Sequence, residues 1–163
     1  MKSIVLLTLI SLPSYGFHPD TLQAVEDITS KAVQEYQQKE VDCLAKTLYY
    51  EANTEGEKGM LIVANVIKNR IAHKDFPVTI CGVVADKRAP FSSYKAVERS
   101  MGKDRGEGYG RYREAYKVAH RAIQEVRQPS KVVFFKVCGH PSKFFDKLVM
   151  VFKYKQHCYY RGK

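Results

Sequence analysis

No tryptophan occurs in this chain, so any ring that stacks on a ligand must be Tyr, Phe or His. No Cys-x-x-Cys pair occurs either, and the spacing of the cysteines does not resemble a zinc site. Glycine-rich phosphate loops, zinc fingers and the aromatic pattern of RNA-binding sheets are all missing, which removes the motif-level case for nucleic acid. There is no internal repeat and no low-complexity tract, which excludes a solenoid. The apolar run near the start, Ile4 to Leu12, is too short for a comfortable bilayer span, and no other stretch could cross one. Acidic residues are the minority charge: 17 Asp and Glu face 27 Lys and Arg, a formal net charge of +10 in 163 residues.

What is present begins with an address. Met1-Lys2 precede the apolar run, and small residues follow at Ser14 and Gly16. The pattern predicts a secretory signal over residues 1–16, cleaved near Gly16-Phe17, with an uncleaved anchor as the alternative. Export, to the periplasm or the cell exterior, implies an oxidising compartment. The even set Cys43, Cys81, Cys138 and Cys158 then reads as two disulfides with three possible pairings. Cys43–Cys81 and Cys138–Cys158 are expected, because each pair joins neighbouring segments. The positive charge of an exported protein points to an anionic envelope or wall polymer rather than to nucleic acid. The length suits one domain with a real core, and we expect a monomer.

The chain is organised around Tyr49-Tyr50-Glu51-Ala52-Asn53-Thr54-Glu55-Gly56-Glu57-Lys58-Gly59, which joins two apolar helical patterns. Leu44, Thr47, Leu48 and Glu51 fall at i, i+3, i+4 and i+7, so Glu51 shares a helical face with two leucines. Such a face is normally buried, and a carboxylate buried there would be held protonated, as a general acid requires. The competing reading is a helix end from which Glu51 escapes to solvent. Glu55 and Glu57 read differently. Thr54 and Glu57 have the spacing of a capping box, so a new helix is expected to start here with Glu55 in its first turn.

Taken in order, residues 17–39 predict a leader helix capped by Asp20, lying on the domain or tethering it. Residues 41–52 predict the helix that carries Glu51, and 55–73 a central core helix with the stripe Met60, Val63, Ala64, Ile67 and Ile71. Asn65 and Asn69 interrupt that helix, and each reads as an amide tying down a loop. Val78 to Ala85 is a short helix or turn. Asp86 to Tyr94 is a loop whose Phe91, Ser92 and Tyr94 could stack on and hydrogen-bond a sugar, although such loops are also plain turns. Residues 98–110 are glycine-rich and read as a surface loop. An amphipathic helix runs from Tyr112 to before Pro129. Val132–Val137 and Leu148–Tyr154 then change to strand character, with a last strand through Cys158-Tyr159-Tyr160. Helices first and a small antiparallel sheet last make an α+β domain over residues 40–163.

At this point the residues resemble a known family, the cell wall hydrolases of the spore-cortex-lytic type. The likeness lies in Tyr49, Glu51, Ala52, Glu55, Gly59, Asn69 and Arg70, in Phe76-Pro77-Val78-Thr79-Ile80-Cys81-Gly82-Val83, in Phe91-Ser92, and in His157-Cys158-Tyr159-Tyr160. It covers residues 41–161. Thr54, Gly56 and Pro90 depart from the family pattern. The resemblance implies a lysozyme-like fold and cleavage of peptidoglycan between N-acetylmuramic acid and N-acetylglucosamine, with Glu51 catalytic. It implies no metal or cofactor. A lytic transglycosylase is the expected activity; a hydrolytic muramidase and a non-catalytic cationic wall-binding module are the alternatives. Glu55, Asn69, Phe91, Ser92, Tyr94, His157 and Tyr159 are the candidates for substrate binding or support.

Overall fold

A computed structural model describes residues 19–88, 91, 107–125 and 130–163. Residues 1–16, expected to be a signal, lie outside the described residues, as do Ser92, Tyr94 and the glycines at 102 and 106. Helix α1 spans Pro19–Ala52 without interruption, where two helices were expected. The physical reason is plain in the chain: neither Pro nor Gly occurs between Pro19 and Gly56. Two compact units divide the chain, residues 1–35 and Tyr36–Lys163. In the first, the helical positions Val25, Ile28 and Val33 are exposed. No described helix is long and apolar enough to cross a membrane.

The second unit holds the core. A 3-10 turn at Asn53–Glu55 separates α1 from α2, Gly56–Ile71. Leu44 and Leu48 of α1 meet Val63 and Ile67 of α2, all with 0% exposure. Truncating such a residue to Ala costs about 2–5 kcal/mol. Helix α3, Ile80–Ala85, is only six residues long and depends on its attachments. Thr79 Oγ1 accepts from the Gly82 N–H at 3.0 Å, Glu40 Oε2 accepts from the Ile80 N–H at 2.6 Å, and a disulfide joins Cys43 to Cys81. Helix α4, Glu107–Gln124, begins before the expected Tyr112 and takes in Gly108 and Gly110. Its buried Ala115, Ala119 and Ala122 allow close packing in the core. Lys68 of α2 donates to the carbonyls of Ala122 and Glu125 and so satisfies the end of α4.

Strands β1 (Phe134–Val137), β2 (Val149–Tyr154) and β3 (His157–Arg161) form an antiparallel sheet in the order β1-β3-β2. The central strand is the buried one: His157, Cys158, Tyr159 and Tyr160 are all inside. Val137 lies opposite His157 and Phe135 opposite Tyr159. The Cys138–Cys158 disulfide staples β1 to β3 beside that pair. The far end of α2 grips the approach to β1: Arg70 Nε donates to the Val133 carbonyl at 2.7 Å, and Asn69 Nδ2 to the Val132 carbonyl at 3.1 Å. The α1–α2 corner and the sheet are thereby held around one cleft.

Candidate active site

Helix α1 delivers Glu51 in its last turn. Thr47 and Leu48, on the same face, are buried, but Glu51 is only half-buried because the leucine stripe opens there into a pocket. The pocket has a volume of about 260 Å³ and is lined by Glu51, Arg70, Phe91, Phe135, Lys136, Val137 and His157. Five parts of the chain meet in it: the ends of α1 and α2, the position 91 loop, and the paired strands β1 and β3.

Arg70 is the cation of the site. It is 5% exposed, and its guanidinium carbon lies 4.6 Å from the Phe91 ring centroid and 5.2 Å from that of Phe76. Burial lowers its pKa to about 10, against the opposing pull of Asp86 and Glu51. At neutral pH it therefore remains charged, a fixed positive group within electrostatic reach of Glu51. Lys136 adds a second cation on the β1 wall and donates to the His140 carbonyl.

The structure departs from the capping expectation at Glu55. No side-chain cap forms at the start of α2, and Glu57 instead pairs with Arg121 of α4. Glu55 is not in a solvated first turn: it is 4% exposed, and its Oε1 lies 2.7 Å from His157 Nδ1. Room for it exists because residue 59 is Gly. A Cβ at Gly59 would stand 2.4 Å from Glu55 Cβ and 3.0 Å from its Oε2. Among the described residues Oε2 has no hydrogen-bond partner. Lys155, at the β2–β3 turn, donates to the Glu55 carbonyl at 2.6 Å.

The expected site residues therefore separate. Glu51, Phe91 and His157 share the pocket. Glu55 stands behind His157 and does not line it. Tyr159 is 0% exposed, stacked on Phe152 at 4.7 Å and on Phe135 at 5.7 Å, so it is a core residue and is not among the described residues lining the pocket. Asn69 faces a different, mostly apolar cavity with Ile62, Val66 and Phe152, and its amide also donates to Ser130 Oγ at 2.8 Å. It is the loop tie, not a neighbour of Glu51. Ser92 and Tyr94 are outside the described residues. Sequence reading had not assigned Arg70, Phe135 or Lys136 to the site. For Arg70 a signal existed: with Val63 and Ile67 it falls at i, i+4 and i+7 on the buried stripe, so its charge needed a purpose. Among the described residues, no cluster of three or more His, Cys, Asp or Glu could hold a metal ion.

Comparison with known proteins gives the family and the fold. Residues 54–160 match the model of the Cell Wall Hydrolase family. The cell wall hydrolase CwlJ of Oceanobacillus iheyensis is 31% identical over 138 residues, covering 79% of this chain and 91% of that protein. Among solved structures, the catalytic domain of the germination-specific lytic transglycosylase SleB from Bacillus anthracis superposes with a TM-score of 0.58 at 22% identity. That match covers 76% of this chain and 95% of the other. The catalytic domain of Bacillus cereus SleB gives a TM-score of 0.56 at 23% identity, covering 76% and 91%. The α+β fold with its small terminal sheet is thus the SleB fold.

Proposed function

The chain belongs to the cell wall hydrolase family, and we propose that it is a lytic transglycosylase. In this reading it cleaves peptidoglycan between N-acetylmuramic acid and N-acetylglucosamine and leaves a 1,6-anhydro sugar. One observation carries the reading. Among the described residues, Glu51 is the one carboxylate lining the pocket, and Glu55 is turned away from it onto His157. A glycosidase that hydrolyses with two carboxylates sets the second about 5–9 Å across the scissile bond. A transglycosylase uses one carboxylate twice.

Protonated Glu51 gives its proton to the glycosidic oxygen as the bond from C1 of the muramoyl sugar breaks, and the N-acetylglucosamine end leaves as an alcohol. The C6 hydroxyl oxygen of the same muramoyl sugar then bonds to C1, and its proton returns to Glu51. No water is consumed and the acid is regenerated. Between the two transfers Glu51 is an anion, and the buried Arg70 guanidinium is the counter-charge already in place. Phe91, with Ser92 and Tyr94 of the same loop, is assigned to orienting the sugar. Both disulfides and the Met1–Gly16 pattern support export, with residues 1–16 as a signal and 17–39 as a leader segment. The net charge of +10 supports retention on an anionic wall, and nucleic acid is not among the partners of this reading.

The test is digestion of purified peptidoglycan by wild type and by Glu51→Gln. Soluble muropeptides from the wild type, and a loss of roughly 100-fold or more in the variant, are expected for removal of a general acid. Equal release by both proteins would sink the assignment of Glu51. No release by either would leave a cationic wall-binding module.

A further inference from the structure

We propose that Glu55 is a positioning residue: it holds His157 by Nδ1, so that the Nε2 end of the ring serves the pocket as a hydrogen-bond acceptor for a hydroxyl of the bound sugar. The proposal rests on the glycosidic reading of the pocket and adds a second working side chain to it.

The geometry is specific. His157 is both a lining residue of the Glu51 pocket and the partner of a carboxylate buried behind it. In the proposal Glu55 is ionised and only accepts, so the nitrogen facing it, Nδ1, carries the hydrogen. In the neutral ring the other nitrogen, Nε2, is then an acceptor. The ring cannot swing away. Phe135 packs against it edge-on at 5.3 Å, Tyr159 lies at 6.3 Å, and β3 is the central, buried strand. Glu55 is fixed as firmly, by the bare Cα of Gly59 beneath it and by Lys155 on its carbonyl. A buried carboxylate is costly, and a helix corner could have been built without one. Keeping Glu55 inside achieves one thing that an apolar residue could not: it selects the tautomer of His157. Among the described residues, the pocket's other polar side chains are Glu51, already engaged in proton transfer, and the donors Arg70 and Lys136.

Glu55→Gln is the discriminating variant. It is nearly isosteric: with its amide NH2 facing Nδ1 it donates and converts Nε2 from acceptor to donor, whereas with its carbonyl facing Nδ1 the tautomer is kept, and nitrogen-15 NMR of the variant tells the two apart. With the tautomer reversed we expect kcat on soluble glycan strands to fall roughly 10- to 100-fold with KM little changed, about the effect of one mismatched buried hydrogen bond. His157→Ala is expected to lose as much, and the double variant no more than either single one, because the two residues act as a unit. Nitrogen-15 NMR of the free wild-type protein is expected to show His157 with its hydrogen on Nδ1. A wild-type His157 that carries hydrogen on Nε2, alone or on both nitrogens, overturns the proposal, as does a wild-type rate in a folded Glu55→Gln whose His157 has moved its hydrogen to Nε2. The NMR reading needs no turnover, so it decides the matter even if Glu55→Gln does not fold. Wild-type digestion run in parallel reports separately on whether the glycosidic reading itself stands.

Discussion

The phenol of Tyr159 lies buried between Phe135 and Phe152, and its hydroxyl has no hydrogen-bond partner among the described residues. Burial first, then Glu55 and Tyr154, push its ionisation far above the usual value of 10. The folded protein therefore keeps this proton at a pH where the unfolded chain releases it. The resulting stability is fully present below pH 10 and is lost as pH rises beyond it. A titration followed by phenolate absorbance should leave one tyrosine un-ionised until the protein unfolds in alkali. Tyr159→Phe should abolish that late step and leave the unfolding midpoint unchanged or higher, since an unpaired buried hydroxyl costs about 1–3 kcal/mol. Gly59→Ala is expected to act in the opposite direction. Its Cβ would meet Glu55 Cβ at 2.4 Å, so denaturant unfolding should register a loss of about 1–3 kcal/mol from overpacking. At this scale the helical face that Glu51 shares with Leu44, Thr47 and Leu48 was legible, because i, i+3, i+4 and i+7 are a local code. Glu55 was not. Its partner His157 is 102 residues away, and the nearby Thr54 and Glu57 offered a local explanation that the fold does not use.

Helices and strands were easier to read than their joints. The stripe of α2 and the strand character of 134–137 and 149–154 follow from side-chain period and β-branching, and both stand in the structure. The boundaries moved where context outweighed propensity: Gly108 and Gly110 read as loop, yet they lie in α4. Glu40 was not legible as a cap at all, since it closes the N-terminus of α3 from 40 residues away. Glu40→Ala should therefore destabilise the protein through α3, and hydrogen exchange at Ile80 and Cys81 should rise more than in the sheet. The disulfides act at the same scale. With separations of 38 and 20 residues, chain entropy gives about 4 kcal/mol for Cys43–Cys81 and about 3 kcal/mol for Cys138–Cys158. Denaturant unfolding with and without reductant should show a loss of several kcal/mol, with the Cys43→Ala, Cys81→Ala pair responsible for the larger share.

The whole molecule is basic, with 27 positive against 17 negative side chains. On the proposed anionic wall, part of its attraction would be long-range and screened within about 10 Å at 0.1 M salt. Binding to intact walls should weaken as salt rises, whereas the rate on short soluble glycans at saturation should change little. A sedimentation assay beside a kinetic one separates the two. The central claim is that one carboxylate, Glu51, performs both proton transfers and that water takes no part. Digesting peptidoglycan in water labelled with heavy oxygen tests this most directly, with the products weighed by mass spectrometry. The account predicts anhydro-muropeptides that carry no label. Reducing-end products with one labelled oxygen at the cleaved carbon would contradict it and make the enzyme a hydrolase.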